Sequence, residues 1–236
     1  MISRTNGRSI VGVYRIMIAV IGNGLVAQQV IEVVKPNSVF NSSNIPELSN
    51  TAWDTIYCAA PSGNRIWAQQ NPNADRSNVW QIINECAVTK FRRFVLFSSG
   101  DTQVKPNTDY GRNRLQLENY AKTLPDSSII RLPSLIHASI TKNILYDIKN
   151  NCWLDKINPQ STLQWFDLTC LQSWIYTQHR EINVCSEPIE TQDIIREFAP
   201  HVINELDYTR QGDKYNLSPY SYTREEIFAS IKDYLT

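Results

Sequence analysis

Arg15-Ile-Met-Ile-Ala-Val-Ile21 runs directly into Gly22-Asn23-Gly24-Leu25-Val26-Ala27. The first stretch is a continuous apolar, β-branched run, the pattern of a strand buried on both faces of a parallel sheet. The second matches G-x-G-x-x-[GA] at the turn into a helix, predicted over Leu25–Val34 and stopped before Pro36. Each position has a physical use. Gly22 permits the tight turn, Gly24 lets the backbone approach a diphosphate, and Ala27 is small enough for the helix to lie on the strand. The helix N-terminus adds unpaired N–H groups that favour an anion. Gly22, Asn23, Gly24, Leu25, Val26 and Ala27 thus form a predicted dinucleotide site. The alternative is a glycine turn that serves packing alone.

Outward from this turn, strand and helix alternate. Ser38–Asn41 and Thr55–Ala60 read as strands, the latter ended by Pro61-Ser-Gly63. Asp75–Val88 has helical periodicity, with Val79, Ile82, Ile83 and Cys86 on one face. A strand over Phe94–Phe97, a helix over Tyr110–Leu124 and a strand over Ser128–Leu132 follow. Strands separated by helices of this length imply right-handed crossovers. The expected class is therefore α/β, a doubly wound parallel sheet (Rossmann fold), with its core over residues 15–137.

The pattern loosens after His137. It predicts a helix over Ile140–Asn150, strands over Thr162–Phe166 and Ile182–Cys185, and helices over Thr191–Ala199 and Thr223–Leu235. Thr223 and Glu226 have the spacing of a capping box. Residues 138–236 are expected to form a small C-terminal lobe that completes the fold and covers the substrate side of the sheet. Residues 1–14 read as a flexible leader, or as upstream of a start at Met17.

Composition narrows the partners. The chain has 236 residues, 42% of them hydrophobic, and no formal net charge, which excludes disorder and gives no electrostatic basis for binding nucleic acid or an anionic membrane. Cys58, Cys86, Cys152, Cys170 and Cys185 are widely spaced and odd in number, so reduced core thiols are expected rather than a disulfide framework or zinc site. His137, His179 and His201 lack metal-ligand spacing, and no metal is expected. Arg4 and Arg8 precede an apolar run, but Arg15 interrupts it and no small-residue cleavage site closes it. Secretory and membrane readings are rejected, and a cytoplasmic location is expected.

In an NAD site an acidic residue about 20 positions past the glycines holds the adenosine ribose. Here the second strand ends at Asn41-Ser42-Ser-Asn44, with no acid before Glu47. Asn41 and Ser42 take that position. Loss of the carboxylate removes repulsion against a 2′-phosphate, but no arginine stands there to bind one. The cofactor is NAD or NADP.

Phe97-Ser-Ser-Gly100 ends a strand, and Tyr110-Gly-Arg-Asn-Arg114 opens the next helix. With the glycine turn they resemble the short-chain dehydrogenase/reductases, most closely the extended NAD-dependent epimerase/dehydratase branch. The resemblance spans nearly the whole chain, in a common order. Ala59-Ala60 is similar to the strand end beside the nicotinamide ribose, and Arg131-Leu-Pro133-Ser134 to an "RLPxxYG" turn. Gln164-Trp-Phe-Asp-Leu168 and Ile182-Asn-Val-Cys-Ser-Glu-Pro188 resemble two later family strands. The resemblance implies a small-molecule substrate, a nucleotide-linked sugar among the candidates, and a homodimer built on the helices at Asp75–Val88 and Tyr110–Leu124. It also places Ala59, Ala60 and Pro133 along the cofactor.

The family's Y-x-x-x-K sets an acid/base tyrosine and a ribose-binding lysine one helical turn apart. This chain has Tyr110, but Arg114 in place of lysine and Gly100 in place of a serine or threonine, so that Ser99 or Thr102 must polarise the substrate carbonyl. Arginine keeps the charge but presents a bulkier planar fork. The departures leave three readings open. The first is a sugar epimerase, dehydratase or reductase, and the second a binding or sensor protein that has lost catalysis. The third is a partner protein with no ligand.

Plainer roles stand beside these. Arg114 would be a solvated partner of Glu118, and Ser98 and Ser99 would satisfy backbone groups at a strand end. Trp153, Trp165, Phe166 and Trp174 would be core rather than a stacking platform. Asp167 would cap the helix Leu168–Tyr176, and Glu225-Glu226 would favour a helix dipole.

Overall fold

A computed structural model describes residues 15–236; the expected leader lies outside the described residues. Strand β1 (Ile18–Ile21) feeds the glycine turn and helix α1 (Leu25–Val34), and β2 (Ser38–Phe40) returns beside it. A 3-10 turn at Ile45–Asn50 leads to β3 (Trp53–Cys58), which lies on the other side of β1. Then come α2 (Arg65–Gln70), α3 (Pro72–Val88), β4 (Phe91–Ser99), the short α4 (Asp101–Val104), α5 (Asp109–Thr123) and β5 (Ser127–Leu132).

After β5 come β6 (Ser134–Ile136), α6 (Ile144–Lys149), β7 (Thr162–Leu163), β8 (Trp165–Asp167) and α7 (Gln172–Ile175). The chain continues with β9 (Glu181–Asn183), β10 (Ile189–Glu190), α8 (Thr191–Phe198) and α9 (Arg224–Leu235).

The main sheet has six strands in the order β2-β1-β3-β4-β5-β9, paired in parallel throughout. The chain changes direction across the sheet between β1 and β3. At such a switch point doubly wound sheets open a ligand crevice.

Helices cover both faces. On one, Val79, Ile82, Ile83 and Cys86 of α3 and Leu117 and Ala121 of α5 pack on Ile56, Phe94, Leu96 and Ile129. On the other, Ala27 and Val30 of α1 join Phe166, Leu168, Leu171 and Ile175 against Val20, Tyr57, Val95 and Ile130. Each large apolar side chain buried this way is worth ~1.5–3 kcal/mol. A third cluster brings together Trp165, Leu145, Ile189, Ile194, Ile227 and Ile231 from the second half of the chain. No described helix is long and apolar enough to cross a membrane.

Three sequence expectations change. The strand expected over Thr162–Phe166 breaks at Gln164 into β7, antiparallel to β10, and β8, parallel to β6. The buried Gln164 amide spans the break, donating to the Ser186 and Leu217 carbonyls at 2.7 and 2.9 Å. The helix expected from Ile140 starts at Ile144, because Asn143 caps it by accepting from the Tyr146 N–H at 3.0 Å. Finally, α2 and α4 appear in stretches for which no element was expected, and α3 begins earlier than expected, at Pro72. Thr223 and Glu226 do form the capping box, and Asp167 caps the turn at Leu168.

Candidate dinucleotide and substrate site

Gly22 adopts φ +127°, a conformation open to glycine and strained for other residues. A Cβ there would stand 2.8 Å from the Ala59 carbonyl oxygen and 3.3 Å from the Ala27 Cβ. The close approach of β1, β3 and α1 therefore fixes glycine, and a small residue at position 27. Gly24 differs. It is the N-cap of α1 in extended backbone, and nothing lies within 4 Å of where its Cβ would be. No side chain caps α1 and no acid sits in its first turn. The first helical bond runs from the Gln28 N–H to the Gly24 carbonyl, so the amides before it have no intrahelical partner. Donor set, vacant volume and absence of negative charge all fit a diphosphate.

The neighbouring walls are the ends of β2 and β3. The Gly22 N–H donates to the Phe40 carbonyl, and the Ala59 N–H to the Ile21 carbonyl, both at 2.8 Å. Asn41 uses its side-chain oxygen to accept from the Ser43 N–H and hydroxyl at 2.9 and 2.6 Å. It shapes the turn in this way, while Ser42 is exposed beside it. Ala59 and Ala60 are half-buried at the end of β3, and Pro133 is half-buried between β5 and β6.

Thr108 caps α5 by accepting from the Gly111 N–H at 3.1 Å, which sets Tyr110 in the first turn. The Arg114 guanidinium stacks over the Tyr110 ring, 4.2 Å from its centre. Both side chains are buried. Arg114 does not pair with Glu118, contrary to the plain reading of their spacing. It donates to both oxygens of Asp75 on α3, at 2.8 and 2.9 Å, and to the Ser62 carbonyl at 2.6 Å. Asp75 also accepts from Asn113 at 2.8 Å. The charge at position 114 is thus turned toward α3 and the loop after β3.

Glu118 lies fully buried and holds a second network. Its carboxylate accepts from Ser98 at 2.6 Å, from Thr102 at 2.8 Å and from Arg131 at 2.6 and 2.9 Å. Arg131 also donates to Glu181 at 2.6 Å. The Thr102 hydroxyl is therefore committed, and Ser98 bonds a side chain rather than the backbone. Ser99 accepts from the Asp101 N–H at 3.2 Å, which leaves its own hydroxyl hydrogen for another acceptor. Gly100 is roofed: a Cβ there would lie 2.6 Å from a Leu217 methyl.

Tyr110 and Arg114 thus share one network with Asp75 on α3, and Thr102 a second with Glu118, while Ser99 stands at the end of β4. Asp75 and Leu217 were not expected here, and Glu118 and Arg131 pair with each other rather than in the roles expected of them. One signal was available: an arginine inside the apolar run Ser128–Leu132 demands a buried acid. Among the aromatics, Trp165 and Phe166 are fully buried, as the core reading expects, Trp174 is half-buried against Tyr222, and Trp153 is exposed. The described residues contain no group of three or more acidic, His or Cys side chains able to hold a metal.

No family model matches the chain, and no curated protein sequence matches it. Solved structures do. A UDP-glucose 4-epimerase from Thermotoga maritima, solved with UDP-glucose, aligns with a TM-score of 0.65 at 8% identity, over 93% of this chain and 97% of that one. A UDP-N-acetylglucosamine 4-epimerase from Bacillus cereus aligns with a TM-score of 0.66 at 12% identity, over 94% and 98%. WbmG from Bordetella bronchiseptica, solved with NAD, gives 0.66 at 10% identity, over 89% and 87%. The chain has the fold of the extended short-chain dehydrogenase/reductases.

Proposed function

We propose that the chain binds NAD or NADP at Gly22–Ala27 and acts on a sugar or nucleotide-linked sugar, as an oxidoreductase of the epimerase, dehydratase or reductase kind. The observation that carries this reading is the contrast between Gly22 and Gly24. One glycine is forced by packing; the other stands at an uncapped helix N-terminus with nothing within 4 Å of where its Cβ would be. The structural neighbours with bound UDP-glucose and NAD add support.

When bound, the nicotinamide supplies the redox chemistry. The chain's own residues do the rest. Tyr110 exchanges the proton at the reacting hydroxyl, and Ser99, with its hydrogen uncommitted, polarises the carbonyl. Arg114 holds Tyr110 from above its ring. Thr102 keeps the end of β4 in place through Glu118.

Calorimetric titration with NAD, NADH, NADP and NADPH, repeated on Gly24→Trp, tests the binding. Micromolar binding of one pair, lost in the variant, is the expected result; no binding of any of the four removes the enzyme reading. Tyr110→Phe should abolish turnover and keep dinucleotide affinity, and retained turnover would take Tyr110 out of the mechanism.

A second reading, a dinucleotide-binding sensor without catalysis, draws on the commitment of Arg114 to Asp75 and the Leu217 roof over Gly100. Arg114→Lys with Gly100→Ser separates the two. Gained activity indicates a decayed enzyme, and lost activity an Arg114 tuned to its own chemistry.

A further inference from the structure

Residues 213–217 cross the carboxyl end of β4 as an extended strap whose inward positions alternate: Asp213, Tyr215 and Leu217 face the core, and Lys214 and Asn216 face solvent. The strap is tied to β7. The Thr162 N–H donates to the Asp213 carbonyl at 2.7 Å, and the Tyr215 N–H to the Thr162 carbonyl at 2.9 Å. Its inner face meets three pieces of the sheet's open end. Leu217 covers Gly100. The Tyr215 hydroxyl donates to Asp101 and accepts from Arg65 of α2 at 2.8 Å. Asp213 takes Lys105, just past α4, on one oxygen and Arg65 on the other at 3.3 Å.

The charges are divided unequally between core and strap. Arg65 and Lys105 stand on α2 and at the end of α4, next to the strand end that carries Ser99. Asp101 stays with the core. Its second oxygen is buried without a hydrogen bond, 3.6 Å from Arg65. Asp213 alone belongs to the strap, and a third of its side chain reaches water. Without the Asp213 carboxylate, two cations would face the single carboxylate of Asp101.

We propose that Arg65 and Lys105 form an anion subsite for a carboxylate or phosphate group of the substrate, and that Asp213 fills it as an internal stand-in while the strap is closed. The proposal deepens the reading above, since it names the substrate class of that same open sheet end. An acidic or phosphorylated sugar, including a nucleotide-linked one, has the required group. Guanidinium and ammonium groups bind both kinds of oxyanion by charge-assisted hydrogen bonds. Closure over Gly100 would exclude water from the site.

The test uses the full chain and two probes, inorganic phosphate and glucuronate, titrated into the wild type, Asp213→Ala and Asp213→Asn. At least one probe should bind about tenfold or more tightly once the Asp213 charge is gone, a gain of ~1.4 kcal/mol. Which probe gains distinguishes a phosphate from a carboxylate substrate. Adding Arg65→Gln or Lys105→Gln to either variant should erase the gain. No gain in the Asp213 variants, or a gain that survives loss of both cations, overturns the proposal. Asp213→Asn keeps the shape of the strap, so it answers where Asp213→Ala fails to fold. NADH titration of the same variants reads the glycine turn separately: lost anion gain with intact NADH binding sinks the subsite alone, and the reverse sinks the dinucleotide reading alone.

Discussion

Arg114 grips both carboxylate oxygens of Asp75 inside the contact between α3 and α5, with side-chain exposures of 6% and 1%. The pair joins the helix that carries Tyr110 to the helix beside it, and the Ser62 carbonyl draws the loop after β3 into the same knot. A planar fork can take both carboxylate oxygens side by side while a second N–H of the same nitrogen reaches the Ser62 carbonyl, a geometry that a compact ammonium does not reproduce.

Removing Asp75 strands a buried guanidinium. Asp75→Ala is expected to cost ~3–5 kcal/mol, a drop in Tm of ~6–20 °C for a chain of this size. Scanning calorimetry checks it. A loss below ~1 kcal/mol would mean that the pair behaves as an exposed one.

The two glycines of the turn should separate stability from binding. Gly22→Ala forces a strained φ and a contact with the Ala59 carbonyl, and is expected to cost ~1–3 kcal/mol. Gly24→Ala meets open space, so its denaturant midpoint should match the wild type. Its added methyl enters the proposed diphosphate volume, and NADH affinity should fall by about tenfold, ~1.4 kcal/mol. Equal stability losses in the two variants would refute the distinction.

Gly100 and Leu217 should be energetically coupled. Gly100→Ser crowds the Leu217 methyl and is expected to lower Tm, while in a Leu217→Ala background the same change should be tolerated. A double-mutant cycle should give a coupling of ~0.5 kcal/mol or more. Additive effects would show that the roof yields freely.

Acid should release the strap. Burial alone would raise the Asp213 carboxyl, but bonding to Lys105 and the charges of Lys105 and Arg65 outweigh it and hold the carboxyl below its ordinary range. A carboxyl lowered in the native state adds stability that is fully present above its unfolded pKa, near ~4. That stability is lost as pH falls through the native value. Asp213→Asn should therefore lower Tm at neutral pH, and the difference from the wild type should vanish on acidification. A difference that persists in strong acid would assign it to packing instead.

Thiol reactivity should follow burial. Burial pushes Cys58 up to about 12 and Cys185 up to about 11, and holds Cys86 well above its ordinary value. Cys152 and Cys170 are half-buried and reachable. Aromatic disulfide reagents at mildly alkaline pH should label Cys152 and Cys170 in the native protein and the other three only on unfolding. Mass spectrometry of the labelled peptides reads the order, and early labelling of Cys58 would contradict it.

The sequence by itself determined the parts that depend on neighbours along the chain. The apolar run into Gly22-x-Gly24-x-x-Ala27 specifies strand, turn and helix locally, because backbone conformation and burial period are written in adjacent residues. The helix at Tyr110, the capping box at Thr223 and Glu226 and the cap at Asp167 were legible for the same reason. Only the tertiary structure decided which acid each buried arginine meets. Glu118 stands at helical spacing from Arg114, yet turns to Arg131, Ser98 and Thr102, while Asp75 arrives from another helix. Likewise Thr162–Phe166 has one strand's composition but divides between two partners, and Leu217 reaches Gly100 from the far end of the chain. Such pairings depend on which surfaces pack together once the core forms, and no local period encodes that choice.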